Sequence, residues 1–354
     1  MNVDPRLSRT LAKAVGPLTP GHPEVRIGKV GVLLVNLGTP DAATAPALRR
    51  YLKQFLSDKR VIEWPRALWY PILYGIVLNT RPRKVAKAYA EIWNNDLDES
   101  YLRTYTRSQS DKLQERLSDY ANVVVDWGMR YGQPSIESGI ERLTKAGCDR
   151  IVMFPLYPHY AAATTATVND DFFAALMKMR FMPAVRTVPS YHDEPVFIEA
   201  LATSIKKHLA TLDFEPDMII ASYHGIPQSY FKKGDPYHCH CLKTSRLLRE
   251  RMGWSKEFLM TTFQSRFGPE DWLQPYFDKT VETLPEKGIK RLVTFNPGFV
   301  SDCLETLEEI AGEGSEIFLH AGGTHYSHIP CLNDSEEGMM VFEHVVRREL
   351  QGWV

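Results

Sequence analysis

The chain has 354 residues, room for two domains or one large one. It is 44% hydrophobic and 24% charged with a formal net charge of -1, an ordinary globular composition that speaks against a nucleic-acid partner. Cys148, Cys239, Cys241, Cys303 and Cys331 form an odd set, and Met1 to Pro23 is polar without the apolar core of a secretory signal, so reduced thiols and a cytoplasmic location are expected.

Residues 1–27 read as an extended arm. The first apolar run, Val30–Asn36, has strand character and enters a turn at Gly38-Thr39-Pro40. That turn has neither the G-x-G-x-x-G spacing nor a Walker lysine, so it implies no nucleotide. Ala67–Leu78 (ALWYPILYGIVL) falls short of the roughly 20 apolar residues that a membrane span needs. It reads as a core helix or as a surface lip that touches lipid or an apolar ligand. Further strands are expected at Val123–Trp127, Ile151–Pro155, Met218–Ser222, Phe258–Phe263, Leu292–Phe295 and Glu316–Leu319. Helical patterns fill Ser135–Ala146, Asp170–Met179, Pro195–Leu212, Leu242–Met252 and Asp271–Leu284. Strands alternating with helices predict βαβ units and parallel sheets flanked by helices.

Met218–Ser222 runs into His224-Gly225-Ile226-Pro227 much as the first strand runs into Gly38-Thr39-Pro40. The expected fold is therefore α/β, two similar Rossmann-like domains, each a parallel sheet flanked by helices. Their boundaries are placed at 28–212 and 213–332, with the break near Asp213–Pro216. A last helix within 333–354 is expected to cross back to the first domain.

Chemistry concentrates where strands end, because ligands of open α/β sheets bind at the carboxyl edge. His224 follows a strand and can act as metal ligand or proton acceptor near neutral pH, or simply as a hydrogen-bonded histidine. Asp302, Glu305 and Glu309 are spaced to share one helix face, either as a solvated acidic surface or as a track that passes a hydrated cation and protons inward. Arg81, Arg83, Arg130 and Tyr131 are candidates for holding ligand carboxylates. Tyr157-Pro158-His159-Tyr160 and Thr164-Thr165 read as a polar, aromatic loop at the same edge. His238-Cys239-His240-Cys241 has poor spacing for one tetrahedral metal site and reads mainly as a turn and helix start.

Several stretches together resemble the ferrochelatases, enzymes that insert ferrous iron into a porphyrin. They are LLVNLGTPDA (33–42), RPRKVAKAYAEIW (81–93), RYGQPSI (130–136), PLYPHYAAATTATV (155–168), SYHGIP (222–227), KGDPYHCHC (233–241), TFQSRFGPEDWLQP (262–275) and NPGFVSDCLETLEEI (296–310). The resemblance implies two Rossmann-like domains with the porphyrin in the cleft, and a metal-chelatase activity in haem biosynthesis. His224 and Glu305 fall on the family's catalytic pair, which serves as ferrous iron ligands or proton acceptors. Leu37, Arg81, Arg130, Tyr131 and Tyr157 are expected at the porphyrin, and Asp302 and Glu309 on a proton and metal path. Porphyrin and ferrous iron are the implied partners, iron being a substrate, with no tightly bound cofactor and peripheral contact with the inner membrane as a further expectation. Protoporphyrin is favoured, with coproporphyrin and a non-catalytic porphyrin- or haem-binding role as alternatives. No oligomeric state is readable.

Three departures from the family pattern stand out. Cys303 replaces a histidine common in the family. Ala162 stands where animal members carry a cluster cysteine, and the chain ends at Gln351-Gly352-Trp353-Val354 without their cysteine-rich tail, so no [2Fe-2S] cluster of that type is expected. Ser100-Tyr101-Leu102 replaces a usual Ser-Pro-Leu turn.

Overall fold

A computed structural model describes Pro20 and residues 27–354, so the arm expected at 1–27 lies almost wholly outside the described residues. Strands β1 (Lys29–Gly38), β2 (Val123–Tyr131), β3 (Cys148–Pro155) and β4 (Ala184–Thr187) form a parallel sheet in the order β2-β1-β3-β4. Strands β5 (Met218–His224), β6 (Leu259–Gln264), β7 (Arg291–Phe295) and β8 (His325–Ile329) form a second parallel sheet in the order β8-β7-β5-β6. Read from its other edge, the second order repeats the first, with β5 in the place of β1. Each half is thus a doubly wound unit whose switch point lies between its first and third strands.

The strands form because their apolar side chains are buried on both faces, as a parallel sheet covered by helices requires. Along β1, Val30, Val32 and Leu34 enter one core cluster while Leu33 and Val35 enter another, the period of two that a strand imposes. The first cluster also takes in Val152 and Phe154 of β3, Ile219 and Ala221 of β5, and Val293 and Phe295 of β7. One apolar core therefore runs through both sheets. Helix Glu336–Leu350 contributes Val341, Val345 and Val346 to it, and packs on helix Pro195–Leu209, helix Tyr101–Arg116 and β3. Arg347 and Arg116 tie this helix to the first half through Asp119 and Glu343.

Some elements differ from expectation. Glu316–Leu319 is helical, within Gly314–His320, and prolongs the preceding π-helix; an apolar run this short does not distinguish strand from helix. The strand of that region is β8, whose sequence HYSHI lacks an apolar run. Strand β4, AVRT, was not expected either. Of Asp271–Leu284 only Phe277–Thr283 is an α-helix, because Pro275 disfavours helical backbone in the residue before it. Helix Tyr237–Met252 starts before Leu242 and takes in the His238–Cys241 tract. Among the described residues no three His, Cys, Asp or Glu side chains converge to hold a metal ion.

The Ala67–Leu78 run is part buried and part exposed. It lies in α-helix Arg66–Ile72, a π-turn Leu73–Val77, and the start of helix Leu78–Glu91. Trp69, Leu73 and Leu78 are buried, while Leu68 and Ile76 are 63% and 60% exposed. No helix among the described residues is long and apolar enough to cross a membrane. At the Ser100 departure, the serine hydroxyl accepts from Arg103 N–H at 3.3 Å and caps helix Tyr101–Arg116.

Candidate active site

Both carboxyl edges open onto one cavity of about 440 Å3. From the first sheet come Leu37 near the end of β1 and Tyr157 after β3; from the second come His224 at the end of β5 and the turn Gly298–Ser301 after β7. Gly38 fixes the end of β1. It sits at φ 109°, and a Cβ there would lie 1.8 Å from the carbonyl oxygen of Tyr131. The walls are mostly apolar, with Tyr51, Trp69, Tyr89 and Trp272 among their aromatic residues. Such a slot suits a flat, mostly apolar ligand with a few polar anchors.

His224 is the last residue of β5 and is half-buried. Its Nδ1 lies 2.6 Å from the carbonyl oxygen of Gly225. A carbonyl only accepts, so Nδ1 carries the proton, and in the neutral ring Nε2 keeps a free lone pair. Gly225 is required beside it: its N–H donates to Gln264 O at 2.8 Å, and a Cβ would meet that oxygen at 2.9 Å and the Trp272 ring at 3.1 Å.

Glu305 lines the cavity and opens a π-helix, Glu305–Glu313. Such helices are rare and cluster at functional sites. Gln264 Nε2 donates to the Glu305 carbonyl at 2.8 Å. The Glu309 carboxylate accepts from Ser265 N–H at 2.7 Å and from the Ser265 hydroxyl. Burial pushes the Glu309 pKa up, with the Glu305 charge adding to it and the Ser265 bonds and His224 opposing it. Glu308 is pushed up to about 7 by burial and by the carboxylates of Glu313, Glu309 and Glu91.

The expected track of Asp302, Glu305 and Glu309 divides at the helix start. Asp302 is 4% exposed and precedes the helix. Its carboxylate accepts from Thr306 Oγ1 at 2.9 Å, Cys331 N–H at 3.2 Å and Asn333 Nδ2 at 2.6 Å. Those bonds tie the helix start to the Cys331–Asn333 segment, whereas Glu305 and Glu309 continue along the helix. Cys303 is buried at the cavity wall, where burial and the neighbouring Glu305 charge push its thiol pKa well up.

Leu37, Arg81 and Tyr157 line the same cavity as His224 and Glu305. Arg81 sits 5.8 Å from the Phe267 ring centroid. The Tyr157 hydroxyl is buried and has no hydrogen-bond partner among the described residues. Arg130 and Tyr131 are placed elsewhere. Arg130 Nη2 donates to Asp58 at 2.5 Å and Nε to Thr167 Oγ1 at 2.7 Å, and the Tyr131 hydroxyl donates to Asp58 at 2.9 Å. Burial raises the Asp58 pKa, but hydrogen bonds from Thr167, the Arg60 N–H and Tyr131, with the Arg130 charge, outweigh it and hold the carboxyl below its usual range. Arg130 and Tyr131 thus brace the wall behind the cavity. Gln264 and Ser265 were missed, although Gln264 ends a strand at the same edge as His224 and Ser265 follows it.

A ferrochelatase family model matches residues 29–350. Ferrochelatases of Allorhizobium ampelinum and Agrobacterium fabrum are 70% and 68% identical over 344 residues, which covers 97% of this chain and 100% of each relative. Among solved structures, SirB from Bacillus subtilis with Fe3+ superposes at TM-score 0.54 and 13% identity, covering 92% of this chain and 97% of that one. The sirohydrochlorin chelatase SirB in complex with cobalt gives 0.51 at 11% identity, covering 91% and 97%. At such identities the likeness is one of fold, a two-domain chelatase architecture. With a family model spanning both halves and relatives this similar over nearly the whole chain, the protein belongs to the ferrochelatase family.

Proposed function

We propose that the protein inserts ferrous iron into protoporphyrin IX, forming protohaem and releasing two protons. The single observation that carries this is the pairing, in one aromatic cavity, of a histidine whose free Nε2 lone pair is set by its own backbone with a carboxylate at the start of a π-helix. The porphyrin enters with two pyrrole N–H bonds, which break as iron–nitrogen bonds form. His224 Nε2 takes one proton and becomes imidazolium. Glu305 takes the other and orders the incoming iron, and Glu309 and Glu308 carry charge along the helix. Imidazole and carboxylate hold ferrous iron without a thiolate's grip, so the metal can leave them for the macrocycle. Arg81 and the Tyr157 hydroxyl supply polar anchors for the ligand, and Leu37 packs beside the ring.

Peripheral contact with the cytoplasmic face of the inner membrane is part of this reading. It is supported by the exposed Leu68, Tyr70, Tyr74 and Ile76 beside the cavity wall, and the cytoplasmic side by five free thiols. The test of function is anaerobic ferrous iron insertion into protoporphyrin and coproporphyrin, side by side, followed by absorbance. Turnover of protoporphyrin that is lost in Glu305→Gln is the expected result. Faster turnover of coproporphyrin would change the substrate, and tight porphyrin binding with no insertion would make the protein a binder.

A further inference from the structure

Gln264, the last residue of β6, is 4% exposed, and every hydrogen-bonding valence of its side chain is filled. Its oxygen accepts from the Ser222 hydroxyl at 2.9 Å and from Asn296 Nδ2 at 2.8 Å. Its NH2 donates to the Glu305 carbonyl at 2.8 Å and to Glu309 Oε2 at 3.3 Å. Asn296 Nδ2 also donates to Ser222 O at 3.0 Å. One amide therefore takes its acceptor bonds from the sheet, at β5 and just past β7, and gives its donor bonds to the π-helix. The next residue, Ser265, sits at φ 66°, a conformation unfavourable for a side chain with a Cβ, and in it both its N–H and its hydroxyl reach the Glu309 carboxylate.

We infer that Gln264, with Ser265, is a positioning residue: it registers the π-helix against the strand that carries His224, so that Glu305 and Glu309 stand at a fixed place relative to the histidine. The inference rests on the reading that these carboxylates handle iron. A carbonyl and a carboxylate are both acceptors, and only a side chain with two N–H bonds on one nitrogen can hold both while its oxygen binds the sheet. Glutamate would put a third carboxylate there and lose both donors. Methionine would keep length and volume and lose every bond. Asparagine would keep the amide but be too short to serve sheet and helix together.

The experiment compares Gln264→Met, Gln264→Asn, Glu309→Gln and the double variant Gln264→Met/Glu309→Gln in the full chain. It reads KM for ferrous iron and KM for porphyrin separately, with thermal melting to count folded protein. Gln264→Met is expected to raise KM for iron about ten-fold, the factor one hydrogen bond to a charged group supports, at a porphyrin KM within about two-fold of the parent. Gln264→Asn is expected to fall between, and it keeps the test alive if Gln264→Met does not fold. In the Glu309→Gln background the methionine change is expected to cost less, because one of the contacts is already altered. A purely structural role would lower the folded fraction and kcat while leaving both KM values alone, and that result overturns the inference. So does an equal rise in both KM values, which would make Gln264 a wall residue. If Glu309→Gln raises KM for iron and neither Gln264 variant does, positioning fails while the metal-path reading stands. If no variant moves KM for iron, both fail.

Discussion

His224 and Gly225 are locked together by a 2.6 Å hydrogen bond from the imidazole Nδ1–H to the glycine carbonyl within the same short turn. The strand end thereby chooses the tautomer, and no carboxylate partner is needed to orient the ring. His224→Ala is expected to lower turnover by about 10^2–10^4-fold, the range of a lost general base, with porphyrin affinity measured by fluorescence nearly unchanged. Near-parental turnover would remove the histidine from the chemistry.

Asp302 is expected to act on stability more than on iron. Breaking its buried set of donors should cost about 2–4 kcal/mol in urea unfolding of Asp302→Ala, since hydrogen bonds to a charged group are at stake and Asn333 loses its partner. KM for iron, corrected for folded protein, should stay at the parental value. A raised iron KM with unchanged stability would put Asp302 on the metal path after all.

The His192 imidazole gives a pH signature away from the cavity. Burial, then the charge of His240 stacked at 3.7 Å, lowers its pKa to about 4. Between that value and the ordinary histidine pKa of about 6.5, the unfolded chain binds a proton that the folded protein refuses, so stability rises with pH across this window and is lost as pH falls through it. His192→Phe is expected to make the dependence of the melting temperature on pH shallower between about 4 and 6.5, with His159, His240 and His328, also lowered by burial, carrying the remainder. An unaltered slope would show that another group carries it.

Leu68 and Ile76 are exposed, so charging them should not disturb the core. Leu68→Glu/Ile76→Glu is expected to leave the melting temperature and detergent-assayed turnover in place while reducing co-sedimentation with anionic vesicles. Equal sedimentation would end the lip reading.

The parts of the fold legible in the sequence were those carried by a single segment. Runs such as Val30–Val35 and Ile219–Ala221 announce buried strands because both faces must be apolar. That His224 and Glu305 would face one sheet edge was legible because each comes after a buried strand, and both line the one cavity. Partnerships between distant segments were not. The guanidinium of Arg130 looked free for a ligand, but it binds Asp58, 72 residues away in the chain. Gln264 lies just past the run read as a strand at Phe258–Phe263, and its side chain bonds Ser222, Asn296 and Glu305, which no local pattern connects. β8 was hidden by its histidines, and the π-turns have no apolar period of their own.

The apolar cluster that runs through both sheets bears on how a large, flat substrate gets in and out. Swinging the halves apart would bare Phe154, Ile219, Val293 and their neighbours to water, at about 1.5–3 kcal/mol for each large side chain uncovered. Traffic through the mouth is therefore expected with the two sheets still fused, not by separation of the halves. Substrate exchange in this protein should be indifferent to cross-links between the sheets.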